Sequence, residues 1–269
     1  MTKTILAIAA ALGIASAAWA QQKQPKVKSR KEAEAYNAMV TAPTPDARIQ
    51  AAEDFLTKFA DSDFKEMALQ TETLAYQQKN DFDNMVIFGE RTLEVDPDNI
   101  EVLVALARGI AQRTREHDLD KDEKLARAEK YAKRAQTLIP NWSKPNPQIP
   151  DEQWTEFKKD RMAQAHAALG QIAFVRKDFA NAEQSFKAGV DVAPQPDPVL
   201  LYQLGMVYGA EAKYDEGIAT MDKAIAAGGV KVGGRDLAAE QKANFEKAKA
   251  SAASKSSAAP GSPPQPKQQ

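Results

Sequence analysis

Small and bulky apolar residues recur along this chain at helical spacing, and the spacing itself is repeated. In "LGQIAFVRKDFANAEQSFKAGVDVAP", residues 169–194, Leu169, Gly170 and Ala173 fall on one helical stripe with His166 a turn before them. Ala182, Phe186 and Gly189 form a second stripe. The segment "LGMVYGAEAKYDEGIATMDKAIAAGG", residues 204–229, keeps the order: Gly170 answers to Gly205, Phe179 to Tyr214, Ala182 to Gly217 and Phe186 to Met221. Nearly everything between these positions changes. Two helices folded onto each other account for it. Gly170 and Ala182 let the backbones approach, Phe186 fills the space beside the contact, Phe179 plugs the turn at Lys177-Asp178, and Pro194 stops the second helix. Alanine-rich amphipathic runs broken by short turns fill 29–250, without sustained two-residue alternation of β-branched side chains. The pattern predicts an all-α fold.

The spacing resembles the tetratricopeptide repeat, a helix-turn-helix unit of about 34 residues with an L-G-x-x-Y … A-x-x-x-F … P pattern. Leu204-Gly205-Met206-Val207-Tyr208 matches its first half. An earlier copy places Tyr76 and Asp81-Phe82 where Tyr208 and Lys213-Tyr214 stand, and ends in "DPDN" at 96–99. It departs from the family with Thr73 in place of the glycine and Met85 in place of a small residue, so its packing is expected to differ. The resemblance implies an α-solenoid of five helix pairs, near 30–65, 66–99, 100–141, 163–196 and 198–231. The third pair carries extra residues, assigned to the acidic insertion "TREHDLDKDEK" at 114–124. A last helix at 235–251 offers Leu237, Ala238 and Phe245 to the stack, as the cap such arrays need. Prolines at 140–150 interrupt the array between the third and fourth pairs. Asp151 is placed to cap a helix running through Trp154, Phe157 and Met162 into the fourth pair. Trp142 and Trp154 flank the break and either close its hydrophobic seam or present an aromatic patch to a partner.

The two ends differ from the repeats. Lys3 followed by the apolar run 5–19 and the small-x-small "AWA" at 18–20 predict a cleaved secretory signal over 1–20, with a retained anchor as the alternative. Gln21, not cysteine, would follow the cut, so no lipid attachment is expected. The expectation is export to the periplasm or beyond, with no stable membrane insertion after cleavage. A flexible lead-in at 21–28 and a disordered tail at 251–269, rich in Ser, Ala, Pro, Gln and Lys, complete the chain. With 36 Lys and Arg against 37 Asp and Glu, the formal charge is −1, which argues against nucleic acid as a partner. Zero cysteines remove disulfides, thiolate metal sites and cysteine nucleophiles.

Candidate chemistry is sparse. Asp118, Asp120 and Asp122 alternate and Glu129 stands twelfth, as in a calcium loop, but Glu123 occupies the sixth place, where the sharp turn needs glycine. His166 lies on a packing stripe, and His117 has no second imidazole near it in sequence. The "GGVKVGGR" of 228–235 lacks the Lys-Ser/Thr ending of a phosphate loop and reads as a linker. Neither a metal, a cofactor nor a catalytic set is expected.

Function then rests on the concave wall that the resemblance implies, lined by the first helix of each pair. Carried over position by position, the second pair contributes Gln70, Leu74 and Gln77, and the third Arg108 and Gln112. The fourth contributes Gln171 and Phe174, and the fifth Tyr202 and Met206. An amide-rich wall with a few apolar contacts suits hydrogen bonding to an extended backbone. It lacks the lysine/asparagine set with which some family members hold a terminal carboxylate. The expected role is a non-enzymatic scaffold of the bacterial cell envelope that binds a protein or peptide segment. The alternative is a self-associating structural protein, a homo-oligomer formed through the Trp142–Trp154 region or a terminal face.

Overall fold

The structure, a computed structural model, describes residues 25–257. The expected signal at 1–20, the first part of the lead-in and the tail beyond Ser257 lie outside the described residues. Among the described residues ten of eleven α-helices form five antiparallel pairs: α1 (Arg30–Thr41) with α2 (Pro45–Lys58), and α3 (Lys65–Gln78) with α4 (Phe82–Val95). They continue with α5 (Ile100–Arg113) and α6 (Lys121–Leu138), α7 (Asp151–Val175) and α8 (Phe179–Val192), and α9 (Pro198–Ala210) and α10 (Tyr214–Ala226). Helix α11 (Leu237–Ser257) packs on α10. The fold is a tetratricopeptide-type α-solenoid.

Local chemistry sets the helix starts. Ser29, Thr44, Asp81, Asn99, Asp178 and Asp197 each accept a backbone N–H of the first turn that follows, which satisfies donors the helix leaves unpaired. Pro45 and Pro198 stand at first helical positions, where the missing N–H costs nothing.

The turns inside three pairs are one structure repeated. Asn80, Lys177 and Ala212 adopt positive φ, at 56°, 62° and 56°. The next residue's N–H reaches back five positions, from Asp81 to Tyr76, Asp178 to Ala173 and Lys213 to Tyr208, at 2.8–3.0 Å. This Schellman closure turns the chain sharply into the following helix.

Packing inside the pairs follows the small-against-bulky pattern. A Cβ on Gly170 would lie 2.7 Å from the Phe186 ring, and one on Gly205 would lie 2.6 Å from Met221 Cε. The two glycines serve the same contact in successive pairs. In the second pair Thr73 and Thr92 share a buried hydroxyl contact of 3.3 Å where glycine packing is absent. Bulky Met85 is received by Gly109 of the next pair, where a Cβ would lie 2.6 Å from Met85 Cε.

Several local features differ from the sequence expectation. Pro150, not Asp151, is the N-cap of α7, and Asp151 pairs with Lys144 at 2.5 Å instead. The "GGVKVGGR" stretch is a short hairpin, β1 (Lys231–Val232) with β2 (Arg235–Asp236), closed by Gly233 and Gly234 at positive φ. Helix α11 therefore starts at Leu237 rather than 235, and it runs to Ser257, through the start of the expected tail. Of the acidic insertion, 114–120 form a loop, while 121–124 are the first turn of α6. Residues 25–28 of the lead-in are irregular but tethered: Lys26 N donates to Asp63 Oδ2 at 3.2 Å, and the Lys28 ammonium lies 3.5 Å from Asp63.

The proline-rich interruption does not break the stack. Helices α5 and α6 both pack directly on α7, and Ile172 shares a core with Met85, Leu106, Ile110 and Leu125. Trp142 and Trp154 meet edge to face with centroids 4.9 Å apart. Phe157 stacks on Trp154 at 5.2 Å, and Trp154 Nε1 donates to Trp142 O at 3.1 Å. The pair of tryptophans closes the seam at the start of α7.

Candidate binding groove

Three adjoining clefts run along the first helices of the pairs, and Arg108 lines all of them. A small one of about 100 Å³ lies between the α3–α4 turn and α5, bordered by Gln77, Asn80, Phe82, Arg108, Gln112 and Arg113. A second, about 410 Å³, lies among Leu74, Gln77, Glu101, Val104, Arg108, Arg161 and Gln164. A third, about 320 Å³, continues past Gln112, Asp160 and Gln164 to Asp197, the N-cap of α9, and to Val199 and Gln203 on that helix.

A polar chain organises the centre. Arg108 Nη1 donates to Gln164 Oε1 at 2.8 Å, and Gln164 Nε2 donates to Asp160 Oδ2 at 2.7 Å. Arg161 joins Asp160 to Glu101, donating to Glu101 Oε2 at 2.8 Å, and its guanidinium lies 4.3 Å above the Phe157 ring. The aromatic seam of the interruption is thereby coupled to the groove wall. Burial lowers the Arg108 pKa from its ordinary value, while the charges of Asp197 and Asp160 work the other way.

Of the residues named from sequence, Leu74, Gln77, Arg108 and Gln112 are brought together in these clefts. The other five lie outside them. Gln70 accepts from Asn99 Nδ2 at 3.2 Å, and Gln171 is half-buried on α7. Phe174 meets Phe179 edge-on at 5.7 Å and packs against the cluster of Ala173, Phe186 and Leu204. Tyr202 and Met206 pack against Met221 and Phe245, beneath the capping helix. Sequence reasoning missed Asn80, Glu101, Asp160, Arg161 and Gln164. Gln164 stands seven residues before Gln171 on the same helix, so helical periodicity extended upstream would have found it.

The other candidate groups have ordinary partners. Lys124 pairs with Asp120 at 2.9 Å and Asp118 at 3.6 Å, and Glu129 pairs with Lys133 and Arg176. His166 Nδ1 lies 3.1 Å from Gln136 Nε2, and burial lowers its pKa. Among the described residues no group of three or more His, Cys, Asp or Glu is placed to hold a metal ion. No helix among them is long and apolar enough to cross a membrane.

Residues 199–227, which span most of α9 and α10, match the family model of the tetratricopeptide repeat. One unit thus matches the tetratricopeptide repeat by sequence, and the described residues as a whole agree with such arrays in fold. Among solved structures it is similar to TTC0263, a thermophilic TPR protein of Thermus thermophilus. The TM-score is 0.53 and the identity 16%, covering 80% of this chain and 99% of that one. It is also similar to MamA, residue 41 to the end, from Desulfovibrio magneticus RS-1. There the TM-score is 0.55 and the identity 11%, covering 75% of this chain and 97% of that one. At these identities the likeness is one of fold. No curated protein matches the sequence significantly.

Proposed function

We propose that this protein is a non-enzymatic scaffold of the bacterial cell envelope that holds an extended protein or peptide segment along the first helices of its central repeats. The fold supports a protein-interaction role in general. The observation that carries the finer reading is the continuity of the three clefts around Arg108, with Gln77, Gln112 and Gln164 along them. Amide side chains both donate and accept, so a row of them can satisfy a strand's N–H and C=O groups without demanding a particular side chain. The signal-like 1–20 supports export. A photo-crosslinking residue at Gln112 should trap a partner in living cells, whereas one at Ile87, exposed on α4, should not. Equal yields from both positions would refute groove binding. Cell fractionation with N-terminal sequencing tests the location, and the expected mature start is Gln21.

One feature favours the second reading, self-association. A cleft of about 760 Å³ between α4 and α6 exposes Leu93, Pro97 and Tyr131 among charged side chains. Light scattering over a range of concentrations tests it, since a monomer throughout would leave this cleft without such a role.

A further inference from the structure

The smallest of the three clefts differs from its neighbours in charge. Arg108 and Arg113 both border it, no carboxylate does, and Gln77, Asn80 and Gln112 bring amide groups to its rim. Among the described residues neither guanidinium has a carboxylate within ion-pair distance, whereas Arg127, Arg134, Arg161 and Arg176 each do. The nearby acids are committed elsewhere. Asp81 accepts from Asn84 N and Nδ2, Asp160 from Gln164 and Arg161, and Asp197 from the N–H groups of Val199 and Leu200. Both arginines are held in place by neutral groups. Arg113 Nη2 donates to Asn80 O at 3.2 Å with its guanidinium 5.2 Å from the Phe82 ring centre, and Arg108 donates to Gln164. Two positioned guanidiniums with no carboxylate in direct contact, the charges of Asp160 and Asp197 reaching Arg108 only from the adjoining cleft, form beside the amide donors an anion receptor with little freedom left to lose on binding.

We propose that this cleft takes the side-chain carboxylate of an Asp or Glu on the extended partner segment, so that the partner is acidic at one fixed position. At about 100 Å³ the space suits a single side-chain group. The inference rests on the groove reading above and makes it specific.

The test is a selection from a randomised, C-terminally amidated decapeptide library, displayed against the purified full chain. The expected result is enrichment of Asp or Glu at one position, with other positions following their own preferences. Replacing that acid by its amide in the best peptide should weaken binding about 10- to 100-fold, the range for a hydrogen bond to a charged group. The R108Q/R113Q variant, checked for an unchanged helical spectrum, should lose the preference at that position alone, and R108K/R113K should keep it in part. If the two variants unfold, the single R113Q, at an exposed helix end, takes their place with the same expected loss. Peptides enriched with no acidic position, or with one that R108Q/R113Q retains, would overturn the carboxylate inference and leave the groove reading standing. A library that yields no binders at all would overturn both. Recovery only of peptides with a free C-terminus, in a parallel non-amidated library, would assign the cleft to a terminal carboxylate and overturn the side-chain proposal.

Discussion

Glycine is used at Gly170 and Gly205 for the same contact but against different neighbours, and the difference predicts different costs. An added methyl at Gly170 meets Phe186 Cδ1, Cε1 and Cγ, all within 2.8 Å and all part of a rigid ring buried to 1% exposure. At Gly205 it meets Met221 Cε at 2.6 Å, the free end of a flexible chain, with the next atom at 3.4 Å. Overpacking a core costs about 1–3 kcal/mol, while alanine in place of glycine in a helix returns up to about 1 kcal/mol. Gly205→Ala should therefore be close to neutral, because the methionine can swing aside. Gly170→Ala should lose roughly 1–2 kcal/mol, because a ring cannot yield without moving its helix. Urea unfolding of the two variants measures the difference, and equal losses would contradict the ring-against-chain distinction.

Single contacts become repeat geometry where helix meets helix, and there the polar seam of α2, α3 and α4 stands apart. Glu72 is 0% exposed and neither carboxylate oxygen has a hydrogen-bond partner. Burial, reinforced by the charge of Glu53, raises its pKa to about 7, and Arg91 counters only in part, its guanidinium lying 5.1 Å from the Phe88 ring centre. Below about pH 4.5 the folded and unfolded chains both hold this proton. Between about 4.5 and 7 only the folded chain keeps it, so its contribution to stability falls as pH rises and levels off above 7. His166 works in the opposite sense, because its buried ring resists a proton that the unfolded chain accepts below about pH 6.5. The informative quantity is thus the difference between Glu72→Gln and the unaltered chain. The variant should gain little at pH 4.5 and up to roughly 3 kcal/mol by pH 8, at about 1.4 kcal/mol per pH unit. A gain independent of pH would show that the carboxylate is not proton-linked. At this same scale the sequence was readable in part. The helix pairs could be read because their small and bulky positions recur, although the turns that join them place Asn80, Lys177 and Ala212 at positive φ, where no shared residue type announces the geometry. The groove could be read where helices kept the register of the repeat, as at Gln77, Arg108 and Gln112. It was missed where the helix expected from Asp151 into the fourth pair carries the wall onto Asp160, Arg161 and Gln164, positions nearer its start than the repeat register alone points to. Nor could Tyr202 and Met206 be placed without knowing which side chains the capping helix brings against them.

Across the whole molecule the decisive question is whether the proline-rich interruption makes one array or two. In a solenoid each unit is stabilised by its neighbours, so a true linker would leave two halves that unfold separately. Direct packing of α5 and α6 on α7, the Arg108–Gln164 bond and the Arg161–Glu101 pair all cross the interruption, which makes it a loop outside a continuous stack. What holds that crossing in register is the aromatic seam rather than the proline segment. Trp154 is 8% exposed and packed between Trp142 and Phe157, and Phe157 in turn supports the Arg161 guanidinium. Trp154→Ala should cost about 3–5 kcal/mol, the range for losing a large buried aromatic. It should also raise hydrogen exchange in the first turns of α7 and weaken crosslinking at Gln112, because Arg161 loses its platform beside the cleft. Replacing 145–148 by a Gly-Ser stretch of equal length, with Lys144 kept for its pair with Asp151, should change stability by less than about 1 kcal/mol, since that segment is exposed. The opposite ranking, a costly loop exchange beside a tolerated Trp154→Ala, would mean that the prolines set the register and that the groove is formed by two separately folding halves.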